Sequence, residues 1–261
     1  MAFRLPVRES RGCDRLARGI SFSIYLSYMY TPPKKPATAL LGVIGVFILL
    51  VVIAFCGRAF LLKVSGLSEM TGKLFFLSRM MFWVVLVLLY LYATLIEKSP
   101  FLLYTDRPAK PLFYIGSIVA LIIIILIGSS IIVAIVHGFV HQETSRKLLE
   151  YVGLFKNNMP LLILTALTAG VTEELIFRGY IQPRIETASN SPVLAIIITS
   201  LLFGILHSPY GTIIQVLDPI FIGVIFSVYY RKYRNIKILI LCHFLFDVFS
   251  LFAQLMLHSK G

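Results

Sequence analysis

Charge is what this sequence has least of. Asp, Glu, Lys and Arg make up 14% of its 261 residues against 58% apolar ones, and the mean hydropathy is +0.89. Soluble domains are roughly 45–50% apolar and about 25% charged, so a water-soluble globular chain is excluded and a polytopic membrane protein is expected. Cysteine is scarce as well. Cys13, Cys56 and Cys242 are odd in number and far apart, which offers neither a disulfide framework nor a thiolate metal knot; they are read as structural thiols. No internal repeat, coiled-coil heptad, low-complexity tract or HExxH pair occurs. The amino terminus is basic, but no short apolar run near it is followed by a small-residue cleavage site, so no removable signal peptide is expected.

Acidic residues are also few, 12 against 24 Lys and Arg, for a formal charge of +12. The excess is a membrane signature and not a nucleic-acid one, because the basic residues fall in loops between apolar windows. Those windows run 36–57, 80–96, 111–136, 157–172, 187–206, 219–230 and 238–257, the last interrupted only by His243 and Asp247. Roughly 20 apolar residues cross a bilayer, so the fold class expected is an all-α transmembrane bundle of about seven spans, with an eighth available in 19–30. With the amino terminus inside, 16 Lys and Arg fall on the inner side and 8 on the outer, counting 97–110, 178–190 and 231–237 as inner loops. That asymmetry predicts a cytoplasmic amino terminus, and the plasma membrane is the expected location; an eighth span would move the first group across. The chain divides into a basic segment 1–38, accessory helices 39–140 and a region 150–257 that holds the chemistry.

The first three windows have no ionisable group in their centres, whereas the last four carry Glu173, Glu174, Arg178, His207, Asp218, His243 and Asp247. Ionisable groups at membrane depth are costly and face a polar interior, so a polar cavity inside the bundle is expected. In "AGVTEELIFRGY", residues 169–180, Glu174 and Arg178 stand at i and i+4 with the acid first, the favourable order for an ion pair on a helix. They account for each other. Glu173 lies about 100° around the helix and is free to point elsewhere; an interfacial cluster of all three charges is the plainer alternative. Turn residues at 187–191 and a Ser191–Pro192 helix start make a helical hairpin centred near Asn190. Glu173 precedes that centre by 17 residues and His207 follows it by 17, so the two reach similar depth. Pro183 is expected to kink the incoming helix. In the last window His243 and Asp247 are again i and i+4, an arrangement in which a carboxylate orients an imidazole.

Three segments thus supply EExxxR (Glu173 to Arg178), FxxxH (Phe203 to His207) and HxxxD (His243 to Asp247), in that order and all in or near spans. The chain resembles the CPBP intramembrane proteases, which include the CAAX prenyl endopeptidases related to Ras-converting enzyme, and the likeness covers about 150–257. It implies an endopeptidase that hydrolyses a peptide bond of a membrane-associated protein or peptide. It implies that Glu173 and His207 activate water, that His243 and Asp247 complete the site and hold the oxyanion, and that Glu174, Arg178 and Phe203 support them. Asp247 stands where many members carry Asn. No cofactor is favoured; the alternative is a zinc protease with Glu173, His207 and His243 as ligands. A different class, a silent scaffold, immunity protein or transporter, would use the same charges as packing groups or a proton relay. His137 and His141 are read as interfacial. Asp218 before Pro219 suggests a broken helix lining the cavity.

Overall fold

A computed structural model describes residues 32–140 and 143–258; Cys13, His141 and the apolar stretch 19–30 lie outside the described residues. Proline, whose missing N–H is no loss at the first helical position, opens α1 (Pro36–Ser65) and α3 (Pro111–Phe139). Thr71 caps α2 (Gly72–Leu91), which runs on into a π turn, Tyr92–Glu97. A short amphipathic helix, α4 (Arg146–Gly153), precedes α5 (Met159–Glu174). A second π turn, Leu175–Ile181, joins α5 to α6 (Gln182–Ser189). Asn190 turns the chain at a φ of 51°, and Ser191 caps α7 (Pro192–Ile205) by accepting from the Leu194 N–H. A 3-10 turn, Ser208–Tyr210, leads to α8 (Ile214–Tyr233), and α9 (Ile236–His258) closes the described chain.

Among the described residues there is no strand, and seven helical stretches are long and apolar enough to cross a membrane. The protein is an all-α polytopic bundle. Its helices are apolar nearly all round, and large side chains such as Leu112 and Phe139 stand on the outer surface at 80% and 87% exposure, as lipid-facing residues do. Burial is uneven: 56% of the most apolar window of Met159–Ser189 lies inside, against 11% for α3. The α5–α6 segment is therefore the axis of the bundle and α3 a peripheral helix. α5 packs on α9 and α7 on α8. At the α5–α9 crossing a Cβ on Gly170 would lie 3.0 Å from both the Ile240 carbonyl oxygen and the Phe244 nitrogen, so only glycine lets these backbones approach this far. Glu174 stands one turn further along α5, and His243 lies between the two α9 residues of that contact.

Several expectations are corrected. At Pro183 a π turn, Leu175–Ile181, stands just upstream: Pro183 offers no N–H to the Gly179 carbonyl and its ring crowds it, and a widened turn relieves both. Asp218–Pro219 does not break a helix. Pro219 sits in the second turn of a continuous α8, so the helix forfeits one backbone bond there and goes on. Arg178 and Arg184, counted as inner-loop charges, are fully buried and take no part in the charge asymmetry. Glu97, assigned to the loop after the second window, is fully buried as well, so buried charge is not confined to the last four spans.

Candidate active site

Glu173 and Glu174 end α5 side by side and meet different surroundings. Glu174 is fully buried. Its Oε1 accepts from Arg178 Nη1 at 2.8 Å and lies 2.8 Å from His243 Nδ1. The expected ion pair is present, and a third member from α9, 69 residues away, has joined it. Arg178 lies under aromatic faces, 4.6 Å from the Phe203 ring centre and 5.4 Å from that of Phe226, which is favourable for a desolvated guanidinium. Glu174 Oε2 and Arg178 Nε have no hydrogen-bond partner.

Glu173 points the other way, into a cavity of about 110 Å³. His207 lines the same cavity, with Phe203 and Tyr210 beside it. The reason is the hairpin turn at Asn190, which returns α7 along α6 and the π turn that continues from Glu174. His207 Nδ1 is 2.9 Å from the Phe203 carbonyl oxygen. A carbonyl only accepts, so Nδ1 carries the hydrogen and a neutral ring keeps its Nε2 lone pair unbound. The imidazole is also held between rings: Phe203 at 4.9 Å, and Tyr210 stacked at 6.3 Å with planes 22° apart.

Phe203 ties the two halves of the cluster together. Its ring touches Phe177 at 5.1 Å, and its centre is 6.4 Å from that of His243. His243 is 7% exposed and does not line the cavity with Glu173 and His207. Both of its ring nitrogens face carboxylates, Nδ1 toward Glu174 and Nε2 toward Asp247 Oδ2 at 3.6 Å. The second separation is too long for a hydrogen bond. Asp218 accepts from the Ser129 hydroxyl of α3. His137, at the end of α3, is exposed.

The sequence reading missed the rest of the cavity wall. Arg58 of α1, Arg79 of α2 and Lys147 of α4 line it, with Tyr151 and Tyr210. Arg58 is bonded to Glu150, Arg79 lies against the Phe75 and Phe82 rings at 4.8 and 5.0 Å, and the Lys147 ammonium is over the Tyr210 ring at 5.8 Å. Burial first, and then Arg58 and Arg79, hold the Lys147 ammonium below its ordinary pKa. Single cations at the ends of apolar windows carry no sequence mark that distinguishes them from topology signals. Tyr210 had a weak one, in the "HSPYG" that ends the FxxxH helix.

A membrane helix bundle with a carboxylate and an imidazole converging on one internal cavity has the makings of an intramembrane hydrolase. Residues 155–249 match the model of the Rce1-like family, described as type II CAAX prenyl endopeptidase Rce1-like. The resemblance carried by the three motifs is thus found again, over that span, as a likeness to a family of endopeptidases. No curated protein and no solved structure matches the chain. Among the described residues no three His, Cys, Asp or Glu side chains are grouped so as to hold a metal ion.

Proposed function

We propose that the protein is an intramembrane endopeptidase that cleaves a membrane-associated protein or peptide with water activated by Glu173 and His207. The observation that supports this most is the shared cavity, in which Glu173 has no hydrogen-bond or ion-pair partner among the described residues and His207 has Nδ1 committed to a backbone carbonyl. A water between them donates one hydrogen to the Glu173 carboxylate and the other to His207 Nε2. As its oxygen attacks the scissile carbonyl carbon, Glu173 takes the proton and later returns it to the leaving amine. His243 completes the site from the α9 side. With Nδ1–H committed to Glu174, its Nε2 carries a hydrogen only when the ring is protonated. At 3.6 Å from Asp247 that N–H makes no hydrogen bond there and is left to donate to the developing oxyanion, a role worth up to about 3–4 kcal/mol for a well-placed donor. The basic wall of Arg79 and Lys147 favours an anionic group of the substrate near the scissile bond.

The test is cleavage of a quenched-fluorescent peptide library by the purified protein in detergent or bilayer discs. Glu173→Gln keeps the side-chain shape and removes the proton acceptor, so the rate falls by roughly 10²–10⁴-fold while thermal stability stays within about 0.5 kcal/mol, as for a substitution that breaks no buried pairing. A metal chelator leaves the rate unchanged. Cleavage that survives Glu173→Gln, or that disappears with a chelator and returns with zinc, overturns the mechanism.

A further inference from the structure

A second concavity shares no residue with the catalytic cavity. It is a groove of about 890 Å³ between α3 and the corner where α8 meets α9. Arg107, Lys110, Tyr233 and Asn235 line its mouth, and Gly116, Ala120 and Ile124 continue it along α3. Nothing lies within 4 Å of where a Cβ on Gly116 would be, so the notch is unfilled. From Lys110 to Ile124 the groove follows 14 residues of helix, about 21 Å at 1.5 Å per residue. One leaflet contributes roughly 15 Å of hydrocarbon. The groove thus runs from headgroup level to near the bilayer centre, cationic at the top and apolar below.

The mouth is built and not frayed. The Arg107 N–H donates to the Arg234 carbonyl at 2.8 Å, Asn235 Nδ2 donates to the Arg107 carbonyl at 2.9 Å, and Asp106 accepts from the Ile236 N–H at 3.1 Å. These bonds fix the loop by its backbone and spend Asp106 elsewhere. Arg107 Nε is buried with no hydrogen-bond partner. α3 begins at Lys110–Pro111 with no side-chain cap and no acidic residue in its first turn, which adds the positive end of a helix to the two cations. We propose that this groove binds an anionic phospholipid of the bilayer. Its phosphate sits against Arg107, Lys110 and the start of α3, and one acyl chain lies in the Gly116–Ala120 notch. A free anion would fill only the mouth and leave the apolar length empty; a zwitterionic lipid would leave the two cations uncompensated.

Native mass spectrometry of the full chain, released from detergent with phosphatidylglycerol and phosphatidylcholine at equal concentration, tests this. The wild type retains one phosphatidylglycerol in preference to phosphatidylcholine. Arg107→Gln with Lys110→Gln, which spares the backbone bonds of the loop, lowers that preference at least tenfold. Ala120→Leu, which fills the notch, weakens retention of both lipids without changing the preference. Peptide cleavage in detergent is unchanged in both variants. Equal retention of the two lipids by the wild type, an undiminished preference in the double variant, or displacement of the lipid by excess inorganic phosphate overturns the proposal. So does retention unaffected by Ala120→Leu, which would mean that the chain does not lie in the notch.

Discussion

Glu174 and Glu97 are both fully buried carboxylates joined to fully buried arginines, Arg178 at 2.8 Å and Arg184 at 3.0 Å, and the two centres are finished differently. Around Glu97 every polar atom is used. Arg184 Nε bonds to both Glu97 oxygens, Tyr180 donates its hydroxyl to Oε2 at 3.0 Å, and the remaining Arg184 nitrogens reach the carbonyls of Pro100, Phe101 and Tyr180. The guanidinium also stacks 3.5 Å from the centre of the Tyr180 ring. Around Glu174 one carboxylate oxygen and Arg178 Nε are left over, and the third partner is a histidine. A closed network rigidifies; an open one beside a titratable ring has capacity in reserve. We read the Glu97 centre as a clamp that fixes the π turn after α2 against α6, and the Glu174 centre as the seat of the proposed catalytic imidazole His243.

The largest effect that breaks this comparison comes from removing each carboxylate. Glu97→Ala and Glu174→Ala both strand a buried guanidinium, and each is expected to lower unfolding stability by about 3–5 kcal/mol. They part in activity per folded molecule. Glu97→Ala leaves it within a few-fold of the wild type, whereas Glu174→Ala frees His243 Nδ1 and lowers it at least tenfold. Thermal melts alongside peptide cleavage at a temperature where both variants remain folded separate them. Equal specific activities in the two variants would mean that the centres do not differ in role.

The same pair of centres shows why one was legible and the other was not. Glu174 and Arg178 are four residues apart in an apolar run, so periodicity alone finds them. Glu97 and Arg184 are 87 residues apart. Each stands where a span seems to end, Glu97 before Lys98–Ser99–Pro100 and Arg184 after Pro183, and such places read as loops. Pairing over that distance is set by how the π turn after α2 meets α6, which one sequence does not encode locally. The spans themselves were legible because bilayer thickness dictates run length. The convergence of Glu173 and His207 followed from counting around Asn190. The link from Glu174 to His243 was not legible, because it depends on the Gly170 crossing of α5 and α9. The basic cavity wall was hidden for a third reason: Arg58, Arg79 and Lys147 come from three different elements.

A smaller effect sharpens the contrast at the closed centre. Tyr180→Phe removes a single hydroxyl that donates to a charged carboxylate and leaves the ring on Arg184. A hydrogen bond to a charged group is worth about 1.5–3 kcal/mol, so stability falls by about that much, less than for Glu97→Ala, with cleavage per folded molecule unchanged. Adding Tyr180→Phe to Glu97→Ala then costs much less than it does alone, since the acceptor is already gone. Additive losses in the double variant would show that the Tyr180 hydroxyl serves some group other than Glu97.

The smallest effect belongs to the open side, at Lys147 on the cavity wall. Burial and the neighbouring guanidinium groups of Arg58 and Arg79 hold its pKa below the ordinary lysine value in the folded protein. In the alkaline range between the lowered and the ordinary value, the unfolded chain therefore binds more protons than the folded one, and stability rises with pH through that range. Below it the ammonium is present in both states and is a small burden on the folded one, offset in part by its contact with the Tyr210 ring. Lys147→Gln removes this dependence. Melting temperatures measured from pH 7 to 10 are expected to show the variant level with the wild type or slightly above it at pH 7, and the difference shifting in favour of the wild type as pH rises. Curves that stay parallel across the range would mean that the Lys147 ammonium is as well solvated in the folded cavity as in the unfolded chain, and that the wall does not present it to a substrate in a desolvated state.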